Sequence, residues 1–394
     1  MSVVKIAENI YSVGVVDWNM RTFHGNTYIT RRGTTYNAYL IVDDTITLVD
    51  TVKEEFTNEL LDNIRQIVDP SRIGAIIANH VEMDHSGALP AVLKQCPNAK
   101  VYGTARCKEG LSKYYYLDMD FHAVKTGDTL KIGKRTLQFI EAPMIHWPDS
   151  MFTYVQGDGI LMPNDAFGQH LASSQRFDDE VDNAILKEES SKYYANILWP
   201  FGSMIARKIE EIQKLNIPLT MIAPSHGVIW RKDPGAIVES YGHWTKNETK
   251  KKVVVFYETM WGSTEKMARS MMNALEDAGV PATLYDITKV DRTELTNDML
   301  DARGYLIGSS THDNDMLPTI GGFLGFFKGL KPKGRVAGVF GSFGWGGGAV
   351  QSMEKTLKEA GVELPQPSLA VRFAPSPDEL KASYDFAKTF VEKL

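Results

Sequence analysis

Hydrophobic and polar positions alternate in short blocks along the chain, and this pattern predicts buried β-strands separated by loops and amphipathic helices. Four apolar runs in the first half, at residues 73–78, 137–140, 159–162 and 219–223, have the length of buried strands. Each run is followed within a few residues by a His or an Asp side chain. Loops after strands often carry function in α/β proteins, so these four loops are the first candidates for a site.

The second half of the chain repeats a unit of strand, loop and helix. Its first apolar run, at residues 251–257, is followed by a polar loop and by an amphipathic helix that ends at Gly279. Two further apolar runs, at 305–308 and 336–340, precede loops rich in glycine and hydroxyl side chains. The repeat predicts a doubly wound, five-stranded parallel sheet whose loops converge on one edge.

The length and composition suit a protein of two or three domains. A chain of 394 residues with 43% hydrophobic residues can form more than one packed core. The polar, charged stretch at 243–250 is the predicted linker. We therefore expect one domain at residues 1–247 and another at 251–394.

One polar motif after the first apolar run is unusually dense. It has the form H-x-E-x-D-H and consists of His80, Glu82, Asp84 and His85. Ser86 follows it and lies near the predicted N-cap of the next helix. Side chains at alternate positions of an extended segment point to the same side, so the first three can converge. A solvated polar loop is the alternative, but clustered His and carboxylate side chains favour a metal site.

Three further residues follow the other apolar runs: His146, Asp165 and His226. Each alone is more often structural than functional, and their shared placement is what supports a joint site. Four imidazoles and three carboxylates suit Fe, Mn or Zn and lack the thiolates typical of structural zinc. Seven ligands shared by two metals leave coordination positions open, which is a catalytic arrangement.

These seven residues resemble the metal site of flavodiiron proteins, whose N-terminal domain is a metallo-β-lactamase-like αββα sandwich. Most hydrolases of that fold carry H-x-H-x-D-H, and Glu82 stands where they have the second His, a substitution that in this family accompanies iron. The resemblance implies two irons. In some family members the imidazole at the position of His85 does not bind the metal, and a water molecule takes its place. The implied ligands are His80, Glu82 and His146 for one iron, Asp84, His85 and His226 for the other, and Asp165 as the bridge.

The loop after residue 257 places hydroxyl groups and Gly262 directly before a helix, which makes an anion site. It contains no Lys and is therefore not a P-loop. It resembles the flavodoxin phosphate loop, T-x-T-G-x-T, with Trp261 in place of one hydroxyl residue, and this implies a flavodoxin-like domain. Trp345, flanked by glycines, can stack on a flavin. The predicted FMN-binding residues are Thr259, Met260, Trp261, Gly262, Ser263, Thr264, Ser310, Thr311, His312, Asp313, Asn314, Ser342, Phe343, Gly344, Trp345, Gly346 and Gly347.

The resemblance implies an oxidoreductase that reduces O2 to water, NO to N2O, or both. A reduced FMN and a diferrous pair together hold the four electrons that O2 requires, and two NO molecules require only two. The residue types favour neither gas. Candidates for proton supply near the irons are His24, His170, Tyr193 and Tyr194, and the resemblance singles out His24 and one tyrosine. An ordinary turn or helix face is the alternative for each.

Cysteine usage indicates where the electrons come from. The chain has only Cys96 and Cys107, without a C-x-x-C pair, so it carries no rubredoxin-type or iron-sulfur centre. The electrons must therefore come from a separate protein or a reduced nicotinamide, and the resemblance favours rubredoxin. The net charge of -6 provides no basic stripe for nucleic acid. The sequence shows neither a signal-peptide pattern nor a bilayer-spanning apolar run, so we expect a cytoplasmic protein that does not bind membranes.

The two predicted sites lie in separate domains, and nothing in the sequence brings them together within one subunit. The resemblance implies a head-to-tail homodimer, or a dimer of such dimers, in which the flavin of one chain faces the irons of the other. Two other functions stay open. The first is a dinuclear zinc hydrolase, against which Glu82 argues. The second is a flavin electron carrier with incidental metals, against which the complete ligand set argues.

Overall fold

The chain packs into two compact units in a computed structural model that describes residues 3–394. Unit 1 comprises the chain up to Phe23, Thr30–Tyr193 and Ser203–Gly242. Unit 2 comprises His24–Ile29, Tyr194–Gly202 and His243–Leu394. Two short segments of the N-terminal half thus belong to unit 2, which the sequence did not indicate. In the described part of the chain, no helix combines the length and the apolar character needed to span a bilayer.

Most strands of the first half are short. They are β1 (Val4–Ala7), β2 (Ile10–Ser12), β3 (Val15–Asp17), β4 (Thr22–Phe23), β5 (Tyr28–Ile29), β6 (Thr34–Tyr36), β7 (Tyr39–Ile41), β8 (Ile46–Val49), β9 (Ile73–Ile77), β10 (Lys100–Gly103), β11 (Phe121–Ala123), β12 (Thr129–Lys131), β13 (Thr136–Glu141), β14 (Met151–Gln156), β15 (Ile160–Met162) and β16 (Met221–Ile222). Strand β5 is part of unit 2, and the others are part of unit 1.

Two sheets form the centre of unit 1. One has seven strands in the order β1-β2-β7-β8-β9-β10-β11, and the other has five in the order β12-β13-β14-β15-β16. Buried side chains of both sheets, among them Ile41, Ile77, Phe139, Val155 and Ile160, form one apolar cluster. The two sheets therefore share a core, as in the predicted sandwich.

The helices of the first half connect these strands. They are α1 (Thr57–Arg65), α2 (Met83–Ser86), α3 (Leu89–Gln95), α4 (Ala105–Tyr115), α5 (Asn183–Tyr193), α6 (Gly202–Lys214) and α7 (Pro234–Thr245), with 3-10 turns at Glu54–Phe56, Pro70–Arg72, Asp178–Glu180 and Trp199–Phe201 and a π-helix at Tyr194–Leu198. Helix α1 buries Leu60, Leu61 and Ile64 along one face, as its amphipathic pattern requires. The side chain of Thr104 caps α4 by accepting a hydrogen bond from Cys107 N–H.

The C-terminal part of unit 2 contains a doubly wound sheet. Five parallel strands have the order β18-β17-β19-β21-β22, and the short β20 pairs antiparallel with β19. Its elements are β17 (Lys250–Glu258), α8 (Ser263–Asp277), β18 (Ala282–Asp286), α9 (Arg292–Met299), β19 (Ala302–His312), β20 (Asp315–Met316), α10 (Pro318–Leu330), β21 (Val336–Phe343), α11 (Ala349–Glu359), β22 (Leu369–Arg372) and α12 (Pro377–Val391). This is the predicted flavodoxin-like topology.

Three local features differ in detail from the sequence predictions. Ser86 does not cap the next helix: it ends α2, and its hydroxyl donates to the carbonyl oxygen of Val81 at 2.6 Å. The predicted linker is largely ordered, since α7 continues to Thr245 and β17 begins at Lys250. Strand β19 is longer than predicted because a turn with positive φ at 313–314 returns the chain as β20.

Candidate functional site

The predicted metal ligands follow the C-terminal ends of four strands of unit 1. The loop after β9 carries His80 and Glu82, and the short helix α2 carries Asp84 and His85. The loops after β13, β15 and β16 carry His146, Asp165 and His226. All seven side chains are at least largely buried, and their ligand atoms form two groups. The structure thus brings together every residue of the predicted metal set.

The first group contains His80, Glu82, His146 and Asp165, with ligand atoms within 4.8 Å of one another. Glu82 Oε2 lies 3.3 Å from His80 Nε2 and 3.2 Å from His146 Nε2. Asp165 Oδ2 lies 3.5 Å and 3.4 Å from the same two nitrogens. Ligand atoms about 2.1 Å from one cation are separated by about 3 Å, so these distances suit a shared metal.

The second group contains Asp84, His85 and His226. Asp84 Oδ2 lies 3.1 Å from His226 Nε2 and 3.3 Å from His85 Nε2. The other oxygen of Asp165, Oδ1, lies 3.4 Å and 3.1 Å from these nitrogens. Asp165 therefore presents one carboxylate oxygen to each group, which is the geometry that a bridging ligand needs.

Unsatisfied buried oxygens test whether the site suits a metal. Among the described residues, both oxygens of Asp84 and Oδ2 of Asp165 are buried without a hydrogen bond. Asp84 Oδ2 and Asp165 Oδ2 each lie within 3.5 Å of an imidazole Nε2. Burying carboxylate oxygens without hydrogen bonds is costly unless a cation compensates them. The donors are nitrogen and oxygen atoms only, a set that suits iron. The residues present therefore fit two metal ions.

The charges of the cluster shift its pKa values strongly. Burial opposes the charge on His85, but Asp84 and Asp165 outweigh it and raise the pKa of this imidazole to about 9. Burial likewise opposes the charge on His80, yet Asp149 and Glu82 raise its pKa. The pKa of Asp165 is lowered, because the nearby imidazoles, His85 foremost, outweigh the effect of burial. Without a metal, the positive charge of protonated imidazoles offsets the negative charge of the buried carboxylates.

Two imidazoles are oriented by partners that the sequence did not predict. Asp149 Oδ2 lies 3.1 Å from His80 Nδ1 and accepts the N–H of Val81 at 2.7 Å. The carbonyl oxygen of Thr35 lies 2.6 Å from His226 Nδ1. With Nδ1 engaged in this way, each ring directs Nε2 towards the metal position. The only sequence indication was an Asp three residues after His146.

The four candidates for proton supply divide between the units. His170 and Tyr193 lie in unit 1, where their rings are 4.8 Å and 6.1 Å from that of His226. The hydroxyl of Thr34 lies 2.8 Å from His170 Nδ1. His24 and Tyr194 belong to unit 2, and the ring of Tyr194 lies 5.0 Å from that of Trp244.

A cavity of about 530 Å³ in unit 1 is lined by Leu171, which follows His170 in the chain. Trp18, Arg32 and Glu180 also line this cavity. It contains none of the predicted ligands.

A second cavity, of about 660 Å³, lies at the carboxyl edge of the parallel sheet in unit 2. It is lined by Met260, Trp261, Ser263, Ser310, Thr311, His312, Asp313, Asn314, Ser342, Phe343, Gly344, Trp345, Gly346, Phe373 and Ala374. Most of these residues were predicted to bind FMN. Phe373 and Ala374 were missed, although they follow β22 as the other lining residues follow their strands.

Buried hydroxyl groups join the three loops of this cavity. Thr264 Oγ1 lies 3.0 Å from the hydroxyl oxygens of both Ser310 and Ser342, which are 3.2 Å apart. Gly262, with a φ of 82°, precedes α8, whose first N–H groups face the loop. This arrangement suits a phosphate, and the exposed rings of Trp261 and Trp345 suit an apolar flavin ring, so the cavity fits FMN.

Comparisons with known proteins cover both halves of the chain. A family model described as ODP family beta lactamase matches residues 34–227, and one described as Flavodoxin matches residues 255–386. A nitric oxide reductase of Moorella thermoacetica is 48% identical over 99% of this chain and 98% of the relative.

Two solved structures are similar to this chain over its whole length. The rubredoxin oxygen:oxidoreductase of Desulfovibrio gigas aligns with a TM-score of 0.97 and 36% identity over 100% of this chain and 98% of that one. The flavodiiron protein of Giardia intestinalis aligns with a TM-score of 0.96 and 33% identity over 100% of this chain and 97% of that one.

We expect Gly348→Ala to raise the dissociation constant of FMN about tenfold, because overpacking typically costs about 1–3 kcal/mol. A Cβ at Gly348 would lie 1.9 Å from the carbonyl oxygen of Asn314 and would push two loops of the cavity apart. Gly325→Ala is the control, since a Cβ there would meet nothing within 4 Å and Gly325 lies outside the predicted FMN-binding residues. Fluorescence titration of the flavin-free protein measures the constant. Equal affinities for the two variants would contradict the expectation.

We expect the metal-free protein to lose stability as the pH rises from 6.5 to about 9. An imidazole whose pKa is higher in the folded state stabilises the fold while it is protonated. The contribution of His85 is therefore complete below its ordinary pKa of 6.5 and is lost through about pH 9. His80 and His146 shift in the same direction. The melting temperature of protein from which a chelator has removed the metal should fall by several degrees over this pH range.

The matched comparison is His85→Asn against His122→Asn. His122 is outside the cluster and 41% exposed. Of the two variants, only His85→Asn should reduce the fall in melting temperature with rising pH. The metal-loaded protein should not show this fall, because bound cations replace the protons. A melting temperature of the metal-free protein that stays level or rises between pH 6.5 and 9 would contradict the interpretation.

Proposed function

This chain belongs to the flavodiiron protein family, and we propose that it reduces O2 to water, NO to N2O, or both, at a two-iron centre. Its cofactors are FMN and two iron ions. The observation that carries the proposal is the carboxylate of Asp165, which directs one buried oxygen to each of two groups of nitrogen and oxygen ligands. Glu82 in the first group favours iron over the zinc of related hydrolases.

We propose that each iron keeps open coordination positions. His80, Glu82 and His146 would hold one iron, Asp84, His85 and His226 would hold the other, and the carboxylate of Asp165 would be shared by both. The support for this assignment is the two groups of ligand atoms and the buried oxygens that accept no hydrogen bond in the described structure.

When bound, the irons and the flavin supply the electrons of the reaction. The residues of the chain fix geometry and hold protons. Asp149 and the carbonyl oxygen of Thr35 orient two ligand imidazoles, which keeps the ligand atoms in place throughout turnover. Burial raises the pKa of Tyr193 well above its ordinary value, so its hydroxyl keeps its proton at neutral pH and can donate a hydrogen bond beside His226.

The electron donor is proposed to be a rubredoxin or a similar small redox protein in the cytoplasm. The support is the small number of cysteines: Cys96 and Cys107 are both buried, and burial raises the pKa of each thiol, which disfavours thiolate chemistry. No redox centre beyond the flavin and the irons is expected in the chain itself.

The active assembly is proposed to be a head-to-tail homodimer, alone or paired into a tetramer. In this arrangement the flavin of one chain faces the irons of its partner. The support is the exposed apolar rim of the flavin cavity, where Trp261 and Trp345 are 90% and 92% exposed. Such a rim on a monomer would be unusual.

We expect anaerobically reduced protein to transfer its electrons rapidly to O2 or NO in stopped-flow mixing. Asp165→Asn should slow this oxidation on the order of a hundredfold, since it weakens a ligand shared by both metals. Asp120→Asn is the control, because Asp120 is 61% exposed and pairs only with surface His122 among the described ion pairs. Iron analysis and flavin spectra accompany the measurement.

The possible outcomes distinguish the two-iron reductase from a zinc hydrolase and from a flavin electron carrier. Oxidation by one or both gases that depends on Asp165 supports the two-iron reductase, and the ratio of rates ranks the gases. Flavin oxidation that is equally fast in Asp165→Asn, or a protein that selects zinc when grown with excess iron and zinc, would refute it.

We expect an equal mixture of two inactive variants to recover about a quarter of the normal turnover, because random pairing in a symmetric dimer makes half of the dimers mixed. Asp165→Asn disables the metal site, and Ser263→Asp places a negative charge at the predicted phosphate position. A mixed head-to-tail dimer retains one working pair, formed by the flavin of one variant and the irons of the other.

The controls are each variant alone and a mixture kept from exchanging subunits. An inactive mixture despite demonstrated exchange would rule out electron transfer between subunits, as would full turnover by a monomeric form.

A further inference from the structure

The chain passes from unit 1 to unit 2 directly after two residues that pack on the metal site. The first passage follows Phe23, whose ring lies 4.6 Å from that of His170 and 5.7 Å from that of His226. The second follows Tyr193, whose ring lies 5.0 Å and 6.1 Å from the same two rings. Both passages therefore begin beside the ligand His226.

Within unit 2, both segments are fastened to the start of helix α9. The backbone N–H of Ile29 donates to Thr293 Oγ1 at 2.9 Å, and Asn196 Nδ2 donates to the carbonyl oxygen of Thr293 at 3.2 Å. Arg292 Nη2 donates to the carbonyl oxygen of Thr27 at 2.7 Å. Two neighbouring residues of α9 thus hold segments that are far apart in the sequence.

The start of α9 is itself rigid. Thr293 is fully buried, and the side chain of Asp291 caps the helix by accepting the N–H of Glu294 at 2.9 Å. The guanidinium of Arg292 lies over the ring of Phe326, 4.4 Å from its centre. A fixed helix end can define where the attached segments lie.

The two segments attached to α9 are short and ordered, so the position of the helix end can determine the positions of Phe23 and Tyr193. Asn196 is three residues from Tyr193 and lies in the π-helix Tyr194–Leu198, a geometry that occurs frequently at functional sites. At the far end of this segment, Trp199 Nε1 donates to Asn247 Oδ1 at 3.2 Å, and Arg335 lies over the indole. Thr27 is four residues from Phe23.

We propose that Thr293 is a positioning residue for the metal site of its own chain. Its hydroxyl and carbonyl groups hold the two segments that continue from Phe23 and Tyr193, and these two rings confine His170 and His226. The flavin-binding half then contributes to the geometry of the irons through the covalent chain. This inference rests on the proposed function, because it requires a metal at His226.

The test compares Thr293→Val with Thr296→Val in the iron-loaded, FMN-loaded protein. Both threonines are fully buried in α9, but among the described residues the hydroxyl of Thr296 donates only within its own helix, to the carbonyl oxygen of Arg292 at 2.7 Å. Thr293→Val removes the acceptor for Ile29 N–H and leaves the volume nearly unchanged. The readouts are the EPR spectrum of the half-reduced iron pair, the FMN absorption spectrum and the rate of oxidation by O2 or NO.

We expect Thr293→Val to alter the iron EPR spectrum and to slow oxidation on the order of tenfold, as small misplacements near a reacting centre do. The FMN spectrum should be unchanged, and Thr296→Val should resemble the unaltered protein in all three readouts. Should Thr293→Val fail to fold, Arg292→Met gives the same test, because it keeps the apolar stem over Phe326 and removes the donor to Thr27.

Other outcomes overturn the inference. If Thr293→Val lowers stability or FMN affinity but leaves the iron spectrum and the oxidation rate unchanged, Thr293 is only structural. If Thr296→Val changes the iron spectrum equally, the effect belongs to the helix as a whole. An unaltered protein that shows no iron-pair signal would refute the proposed function, and the inference with it.

Discussion

The structure of unit 1 depends on how seven buried ionisable side chains share one small space. Three carboxylates and four imidazoles converge there, and both oxygens of Asp84 accept no hydrogen bond from residues 3–394. Such a group is costly to bury unless positive charge compensates it. Protons can do so in the metal-free protein, which is why the pKa of His85 rises to about 9. Metal ions do so with correct geometry and without dependence on protonation, so metal binding and folding of these loops are coupled.

Rigid strands supply the geometry that this charge cluster needs. Strand β6 (Thr34–Tyr36) serves the loop of His226: Thr35 accepts from its Nδ1 and, through its own hydroxyl, from Gly227 N–H at 2.7 Å. The side-chain amide of Asn37 donates to the carbonyl oxygens of Pro224 and Gly227 at 2.9 Å and 3.0 Å. Backbone and side-chain atoms of β6 and of the residue that follows it therefore hold the ligand loop, and they fix the orientation of the imidazole.

The sequence predicted the parts of the molecule that depend on local pattern. Apolar runs located seven of the strands, and the rule that function gathers at strand ends pointed to the loops of both candidate sites. It could not predict contacts that only tertiary packing creates, such as Asp149 on His80 across 69 positions. Nor did the pattern indicate that α5 ends at Tyr193 and that the chain continues from Tyr194 as a π-helix within unit 2. By contrast, the residues Asp313 and Asn314 are typical of a hairpin turn, so the β19–β20 hairpin could have been predicted.

The two sites follow one architectural rule but solve opposite physical problems. The metal site gathers charge away from water, and its ligands are enclosed within their own unit. The flavin cavity leaves apolar surface open, since Trp261, Trp345 and Phe373 are all more than half exposed around hydroxyl groups buried beneath them. Exposed aromatic rims are costly in water and favour burial against another surface. The metal site is therefore complete within one chain, whereas the flavin site needs a covering surface, and this asymmetry is the physical argument for the proposed dimer.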